Sequence, residues 1–373
     1  MDQLTLELDS GSRARENTIV RMAVDEAVAG LAGDLSIEAP GGLRIPAQID
    51  EDENELVFQM ASLPAGTSQC VLQAGGEQAI TAPEVKLHAQ AVSDETGIDI
   101  RIDGEPLTRY NFPSEKLLKP FLAPVIGPWG EDLCRAITPE ITEHPHQKGI
   151  FIAHGSVGGE ELWNEPEGLC GRIEQLEASA TQGDVFAKVT ARLVWKDREG
   201  KALMKENRAF WFYVTAPEAR LIDLKMEFVP VEGDVVLGAT KEAGLLGIRV
   251  HPDIATDAGK GGQIENAYGG VGEGECWSKK AQWCDYHGVV GGRRAGIAAF
   301  DHPANLRFPT RWHVRAYGLF AANPWFWDGP YTLEQGSTLT FRHRILIHAG
   351  DTRTAEVGER YLDWENPVKA ARV

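Results

Sequence analysis

Residues 221–228, Leu-Ile-Asp-Leu-Lys-Met-Glu-Phe, place Ile222, Leu224, Met226 and Phe228 on one side and Asp223, Lys225 and Glu227 on the other. An extended chain sends successive side chains to opposite faces, so this two-residue period describes a strand with one buried face. Residues 185–196 and 208–214 also read as strands, joined across the polar turn Asp197-Arg198-Glu199-Gly200-Lys201. The three together predict an antiparallel meander. Helical signals are brief, at residues 114–118 and 354–364. Forty glycines and twenty prolines beside 43% hydrophobic residues describe a turn-rich globular chain.

Residues 1–85 hold many short strand-like runs, such as 4–8 and 56–60, but few residues suited to chemistry. With Pro83 near its end, this part is expected to form a small β-sandwich-like extension. Residues 86–373 are expected to form one large antiparallel β domain, because the chemistry-bearing side chains fall between about 110 and 325.

The formal net charge of −18 repels polyanions and argues against nucleic acid or an anionic membrane as partner. No window reaches the roughly 18 apolar residues of a spanning helix. The first nine residues alternate polar and apolar side chains without the basic and apolar blocks of a secretory signal. A soluble, cytoplasmic protein is the expectation. Five scattered cysteines with no CxxC spacing favour free thiols.

Chemistry concentrates in three places. The first is His144-Pro145-His146-Gln147-Lys148 with His154 a few residues on. Pro145 disfavours helix, and an extended chain would put His144, His146 and Lys148 on one face. Imidazole is the usual general acid or base and a common metal ligand. The second is residues 277–288, with Trp277, Trp283, Asp285, Tyr286 and His287. In the third, residues 307–327, Arg311, His313 and Arg315 share one face and Trp312 and Val314 the other. Five of the ten tryptophans lie between Trp277 and Trp327, a density that suits stacking on sugar rings as well as core packing. The three clusters are expected to converge on one cleft.

A divalent metal on His144 and His146, completed by Glu265, Glu273, Glu275 or Asp285, is an alternative, although no spacing is specific for it. The expectation is that there is no cofactor. Gly155-Ser156-Val157-Gly158-Gly159 and Gly288-Val289-Val290-Gly291-Gly292 lack the order of a nucleotide-binding loop.

Several runs in fixed order resemble the bacterial PmoA-like family over roughly residues 86–350. They are Arg109-Tyr110-Asn111, Lys119-Pro120, His144-Pro145-His146, Lys148-Gly149, His154-Gly155, Thr240-Lys241-Glu242, Gly247-Ile248-Arg249, Trp283-Cys284-Asp285-Tyr286, Trp312-His313-Val314-Arg315 and residues 317–324. The chain departs from the family pattern at Gln147 and Ala316. The resemblance implies an antiparallel β-supersandwich similar to galactose mutarotase, and an intracellular step in sugar catabolism. The family's automatic label, methane oxygenase, conflicts with the missing spanning segment, since particulate methane monooxygenase subunits sit in membranes.

These readings combine into an expected carbohydrate-active enzyme acting on a sugar or glycoside, an oxidised (keto or uronic) one included. The chemistry would be hydrolysis, elimination or isomerisation. His146 and His154 are the acid/base candidates, with Asp285 or Glu265 as partner carboxylate. His144, Lys148, Trp283, Tyr286, His313, Arg315 and Asn323 are the substrate-binding candidates. A non-catalytic carbohydrate-binding or sensing protein is the alternative, and a metal-dependent oxygenase the third.

Overall fold

The computed structural model describes residues 3–31, 33–75, 88–166, 168–242 and 244–373. Two eight-stranded antiparallel sheets face each other and make an all-β supersandwich. In the front sheet the spatial order is Trp312–Arg315, Leu319–Ala322, Leu246–Arg249, Ile150–Ile152, Phe121–Val125, Glu105–Asn111, Gly97–Ile102, Ala89–Ser93. In the back sheet it is Arg172–Thr181, Phe186–Lys196, Ala202–Tyr213, Ala219–Pro230, Leu339–Ala349, Arg293–Asp301, Trp283–Val290, Gln263–Asn266. The alternating run at 221–228 lies inside Ala219–Pro230, with Ile222, Leu224, Met226 and Phe228 in the core as expected. Ile98, Tyr110, Ile150, Ile248 and Phe320 of the front sheet meet Val189, Phe210, Ile222, Tyr286 and Ile345 of the back sheet. Each fully buried aliphatic or aromatic side chain contributes about 1.5–3 kcal/mol, so this shared layer is the main source of cohesion.

Residues 3–74 fold separately into a seven-stranded sheet with its own core of Leu6, Val20, Phe58 and Leu72. Its last strand is Lys369–Arg372, which returns from the far end of the chain to pair with Gln3–Asp9. The two edge strands, Arg15–Ala23 and Lys369–Arg372, approach each other, so the sheet curls toward a barrel instead of stacking as a two-layer sandwich. The expected boundary at 85/86 and Pro83 lie outside the described residues.

Two local expectations meet different outcomes. Residues 114–118 form a turn, not a helix, because the Ser114 hydroxyl accepts from the Lys116 and Leu117 amides and the Ser114 amide bonds to the Leu117 carbonyl. The C-terminal helix is real, Val357–Glu365, and Tyr361 packs edge-on to Phe300 at 5.5 Å on the outer face of the back sheet. No helix among the described residues is long and apolar enough to cross a membrane.

The barrel docks on the back sheet through buried polar groups. Asp50 accepts from Lys188 Nζ at 2.6 Å and from Trp211 Nε1 at 2.5 Å, and Gln48 Oε1 accepts the amides of Val185 and Phe186. A buried cation deprived of its partner keeps its full desolvation cost. Lys188 also reaches the exposed Asp52 at 2.9 Å, so Asp50→Ala removes its buried partner but not its last one; the variant should lower unfolding free energy by about 1–3 kcal/mol, and adding Lys188→Met should restore part of that. Urea midpoints of the two variants check this; an unchanged midpoint in Asp50→Ala would mean that the pair does not clamp the units.

Candidate functional site

The front sheet turns its second face outward. Register across five strands aligns His313, Ala321, Gly247, Phe151 and Phe121 in one row, with Arg315, Leu319 and Arg249 in the parallel row. The middle of this face is small and apolar, and Phe151 lies edge-on to Trp163 at 4.9 Å. Gly247 is required there, since a Cβ would sit 2.7 Å from the Phe151 ring. Gly149 opens the approach to the strand at positive φ, where a Cβ would meet the Leu122 carbonyl at 2.0 Å.

The histidine loop sits at this face as a turn, not as the extended segment expected. The Gln147 amide bonds back to the His144 carbonyl, and His144 takes a left-handed conformation at φ 47°. Pro145 excludes the helical continuation, so the turn is tight. Arg135 holds it from beneath, donating to the carbonyls of Glu143, His144 and Gln147. The rings of His144 and His146 are 5.8 Å apart, and His144 stacks on Tyr317 at 4.9 Å. Arg249 stacks over the same tyrosine at 4.3 Å. Lys148 and Lys119 share one carboxylate, reaching Glu165 at 2.7 Å and 2.5 Å. Lys119 also donates to the Trp163 carbonyl.

Four cations, Arg135, Arg249, Lys119 and Lys148, are thus at least nine-tenths buried at this face, and the two lysines share one carboxylate, Glu165. His146 is buried among them, and its Nε2 has no hydrogen-bond partner. Burial, then Lys119, His144, Lys148 and Arg135, push its pKa down to about 3. Both burial and like charge disfavour the imidazolium, so at neutral pH the ring is an uncharged base. Burial and then Arg135 also push Arg249 down, to about 10.

A second wing begins at His313, four residues before Tyr317, on the edge strand Trp312–Arg315. His313 and Arg315 point outward while Trp312 and Val314 enter the core, as the alternation predicts. His313 packs edge-on to Trp277 at 4.7 Å, and Trp277 meets Trp327 at 5.2 Å. Arg315 lies over Trp277 and donates to Glu273 at 2.8 Å. Asn323 is spent on structure: its oxygen accepts the Trp325 and Phe326 amides, and its nitrogen donates to the Thr240 and Lys241 carbonyls.

The remaining candidates do not join this face. Trp283 and Asp285 alternate with core residues Cys284 and Tyr286, so they project from the outer side of the back sheet, across the sandwich from His146. Asp285 is fully buried and accepts from His348 Nε2 at 3.0 Å and Thr352 at 2.7 Å. Glu265, opposite Asp285 on the next strand, pairs with His287. Tyr286 lies in the core, its hydroxyl donating to the Arg315 carbonyl. His154 is fully enclosed, 4.7 Å from Trp325, and burial pushes it to about pH 3. Of the expected convergence, the first and third clusters meet on the front sheet through the His144–Tyr317 contact, whereas Asp285, Glu265, Trp283 and His154 lie apart from it. Among the described residues no three His, Cys, Asp or Glu side chains converge as a metal site. Clefts of 360 and 260 Å³ open between barrel and back sheet, but their walls are already paired, Arg21 with Glu55, Lys225 with Glu53 and Arg344 with Asp223.

The model of a family of unknown function, DUF6807, matches residues 97–362, which span both wings. The chain belongs to this family. No curated protein matches it. Among solved structures, it is similar to an alpha-mannosidase from Enterococcus faecalis V583, at 10% identity and TM-score 0.41, over 100% of this chain and 46% of that one. A glycosyl hydrolase family 38 protein from Enterococcus faecalis gives 10% identity and TM-score 0.37, over 100% and 47%. An alpha-galactosidase from Lactobacillus brevis gives 10% identity and TM-score 0.31, over 89% and 40%. The chain spans less than half the length of these proteins.

Four buried imidazoles make this DUF6807 chain sensitive to acid. His146, His154 and His313 are depressed to about 3 and His343 to about 4, each chiefly by burial. The unfolded chain binds protons at these positions from about pH 6.5 downward while the fold refuses them. Their contribution is complete above pH 6.5 and is lost as the pH falls, by about 1 kcal/mol each at pH 5.5. Asp301, raised to about 7 by burial, acts with the opposite sign and offsets part of this. Urea midpoints should fall between pH 7 and pH 5.5; a midpoint that rises would show that Asp301 dominates.

Proposed function

We propose that the front-sheet face is the active site of an enzyme acting on a sugar or glycoside, oxidised (keto or uronic) sugars included, with His146 as general base. The observation that carries this is His146 itself: a buried, uncharged imidazole whose Nε2 lacks a partner, beside an ammonium. A base of this kind takes a proton from a carbon next to a carbonyl, and the oxyanion that forms is stabilised by a nearby cation such as Lys148. The electron pair then expels a leaving group, or the proton returns on the other face. Elimination and isomerisation therefore fit better than hydrolysis, which ordinarily needs two carboxylates flanking the bond. Glu165 is held by two lysines and Glu273 of the other wing by Arg315, so neither is free to serve in such a pair. His144, partly exposed and backed by Tyr317, gives a stacking surface at the mouth, and Trp277 and Trp327 a second one. The resemblance to the PmoA-like family, whose members accompany sugar-oxidising dehydrogenases, supports the reading by association.

Incubation with a panel of glycosides, keto-glycosides and uronates, read by mass and NMR, tests the activity. His146→Gln should lower turnover by about 10²–10⁴-fold and retain most of the affinity. Loss of affinity with no turnover in either protein would favour the sugar-binding alternative. Because burial, and after it the neighbouring cations, already hold His146 uncharged, kcat/KM should stay level down to well below pH 6 instead of falling at the ordinary imidazole value. A half-point at 6.5 that survives in His146→Gln would assign the titration to another group.

A further inference from the structure

Among the described residues, the cations around His146 exceed the anions that face them. Arg135 spends its guanidinium on backbone carbonyls, which accept hydrogen bonds but carry no charge. Glu143, the other nearby carboxylate, is exposed and lies beside His144. Arg249 forms no ion pair with a carboxylate among the described residues: it rests on the Tyr317 ring, and its Nε, buried with the rest of the residue, has no hydrogen-bond partner there. Its one side-chain acceptor is Gln147 Oε1 at 3.3 Å, and Gln147 Nε2 reaches the Tyr317 hydroxyl only at 3.5 Å. These are long contacts, whereas the bonds that Arg135 and Lys148 make are all 2.9 Å or shorter. A desolvated guanidinium without a counter-ion costs several kcal/mol, and it is retained where it has a ligand to meet. In a chain of net charge −18 this concentration of buried positive charge is a local inversion of the molecule's field.

We propose that Arg249 is the seat for an anionic oxygen group carried by the substrate, a carboxylate or a phosphate ester on a sugar, which replaces the Gln147 amide oxygen against the guanidinium beside the His144–Tyr317 stack. This rests on the sugar-processing reading of the same face and narrows it to charged sugars. The fork of guanidinium donors matches a carboxylate or phosphate in two parallel bonds, and Tyr317 fixes its plane. Neutral sugars gain only the stacking.

Calorimetric titration of the full chain with D-glucuronate, D-glucose 6-phosphate, D-glucose and inorganic phosphate at fixed ionic strength tests the seat without requiring turnover. At least one charged sugar should bind tenfold or more tighter than glucose, and the stronger of the two charged arms identifies the group. Arg249→Met should remove that advantage, a tenfold or greater loss for the charged sugar that exceeds any change in glucose binding. Arg249→Lys, which keeps charge and fold but loses the fork, should lose at least threefold, and it decides the matter if the methionine variant does not fold. Glucose binding as tightly as both charged sugars, no binding in any arm, or an unaltered Arg249→Lys overturns the proposal. Inorganic phosphate binding as tightly as either sugar overturns the assignment to a sugar-borne group. Charged-sugar binding without any turnover would sink the enzyme reading alone, and turnover of neutral glycosides untouched by Arg249→Lys would sink the anion seat alone.

Discussion

A two-residue period divides every strand of the sandwich between one shared core and one of two outer faces. That constraint decides which polar side chains can meet. On Trp283–Val290 it sends Cys284 and Tyr286 inward and Trp283, Asp285 and His287 to the back. On Trp312–Arg315 it sends His313 and Arg315 to the front. Residues that sit close in composition and in chain order are thus parted by the full thickness of the core. Asp285, for all its suitability as a base, is left to hold His348 and Thr352 together behind the back sheet.

The period was legible where one side of a strand was uniformly apolar, as at Ile222, Leu224, Met226 and Phe228 or at Trp312 and Val314. It was ambiguous at Trp283–Val290, because Trp283 is apolar yet shares the outward side with Asp285. There the tryptophan packs under the C-terminal helix with Phe300 and Tyr361, a partner that no local pattern announces. The same limit hid the barrel's closure, which depends on a strand about 300 residues away from its nearest barrel neighbour in sequence. Within the site, His144, His146 and Lys148 were visible as a dense run, but their turn was not. It depends on Arg135, a lone residue, donating to three carbonyls. Arg249 carried one available signal: a single arginine inside the apolar run Leu245-Leu246-Gly247-Ile248-Arg249-Val250. Glu165 carried none.

Energetically the front face works against the rest of the molecule. The apolar centre, with Gly247, Ala321 and Ala153 beside Phe151 and Trp163, keeps water away, and that raises the cost of every charge at its margin. Glu165 offsets two of the cations by bridging Lys119 and Lys148. Among the described residues Arg135 and Arg249 make no ion pair; carbonyls, an amide, an aromatic face and the more distant charge of Glu143 offset them. The core between the sheets is large enough to carry this local loss, which is the usual relation between a functional site and its scaffold.

An anion arriving at Arg249 would change more than its own binding. The free site holds His146 far below the ordinary imidazole range through burial and through Lys119, His144, Lys148 and Arg135. A negative charge placed among these groups offsets part of their field, so the imidazole's affinity for a proton rises when substrate is present. A base that is weak in the empty site thereby becomes stronger in the occupied one, nearer the value at which proton transfer at neutral pH is most effective. The cations that make the empty site costly would in this way tie base strength to the charge of the substrate, and a neutral sugar, even one that stacked well on His144, would draw only on the weaker base of the empty site.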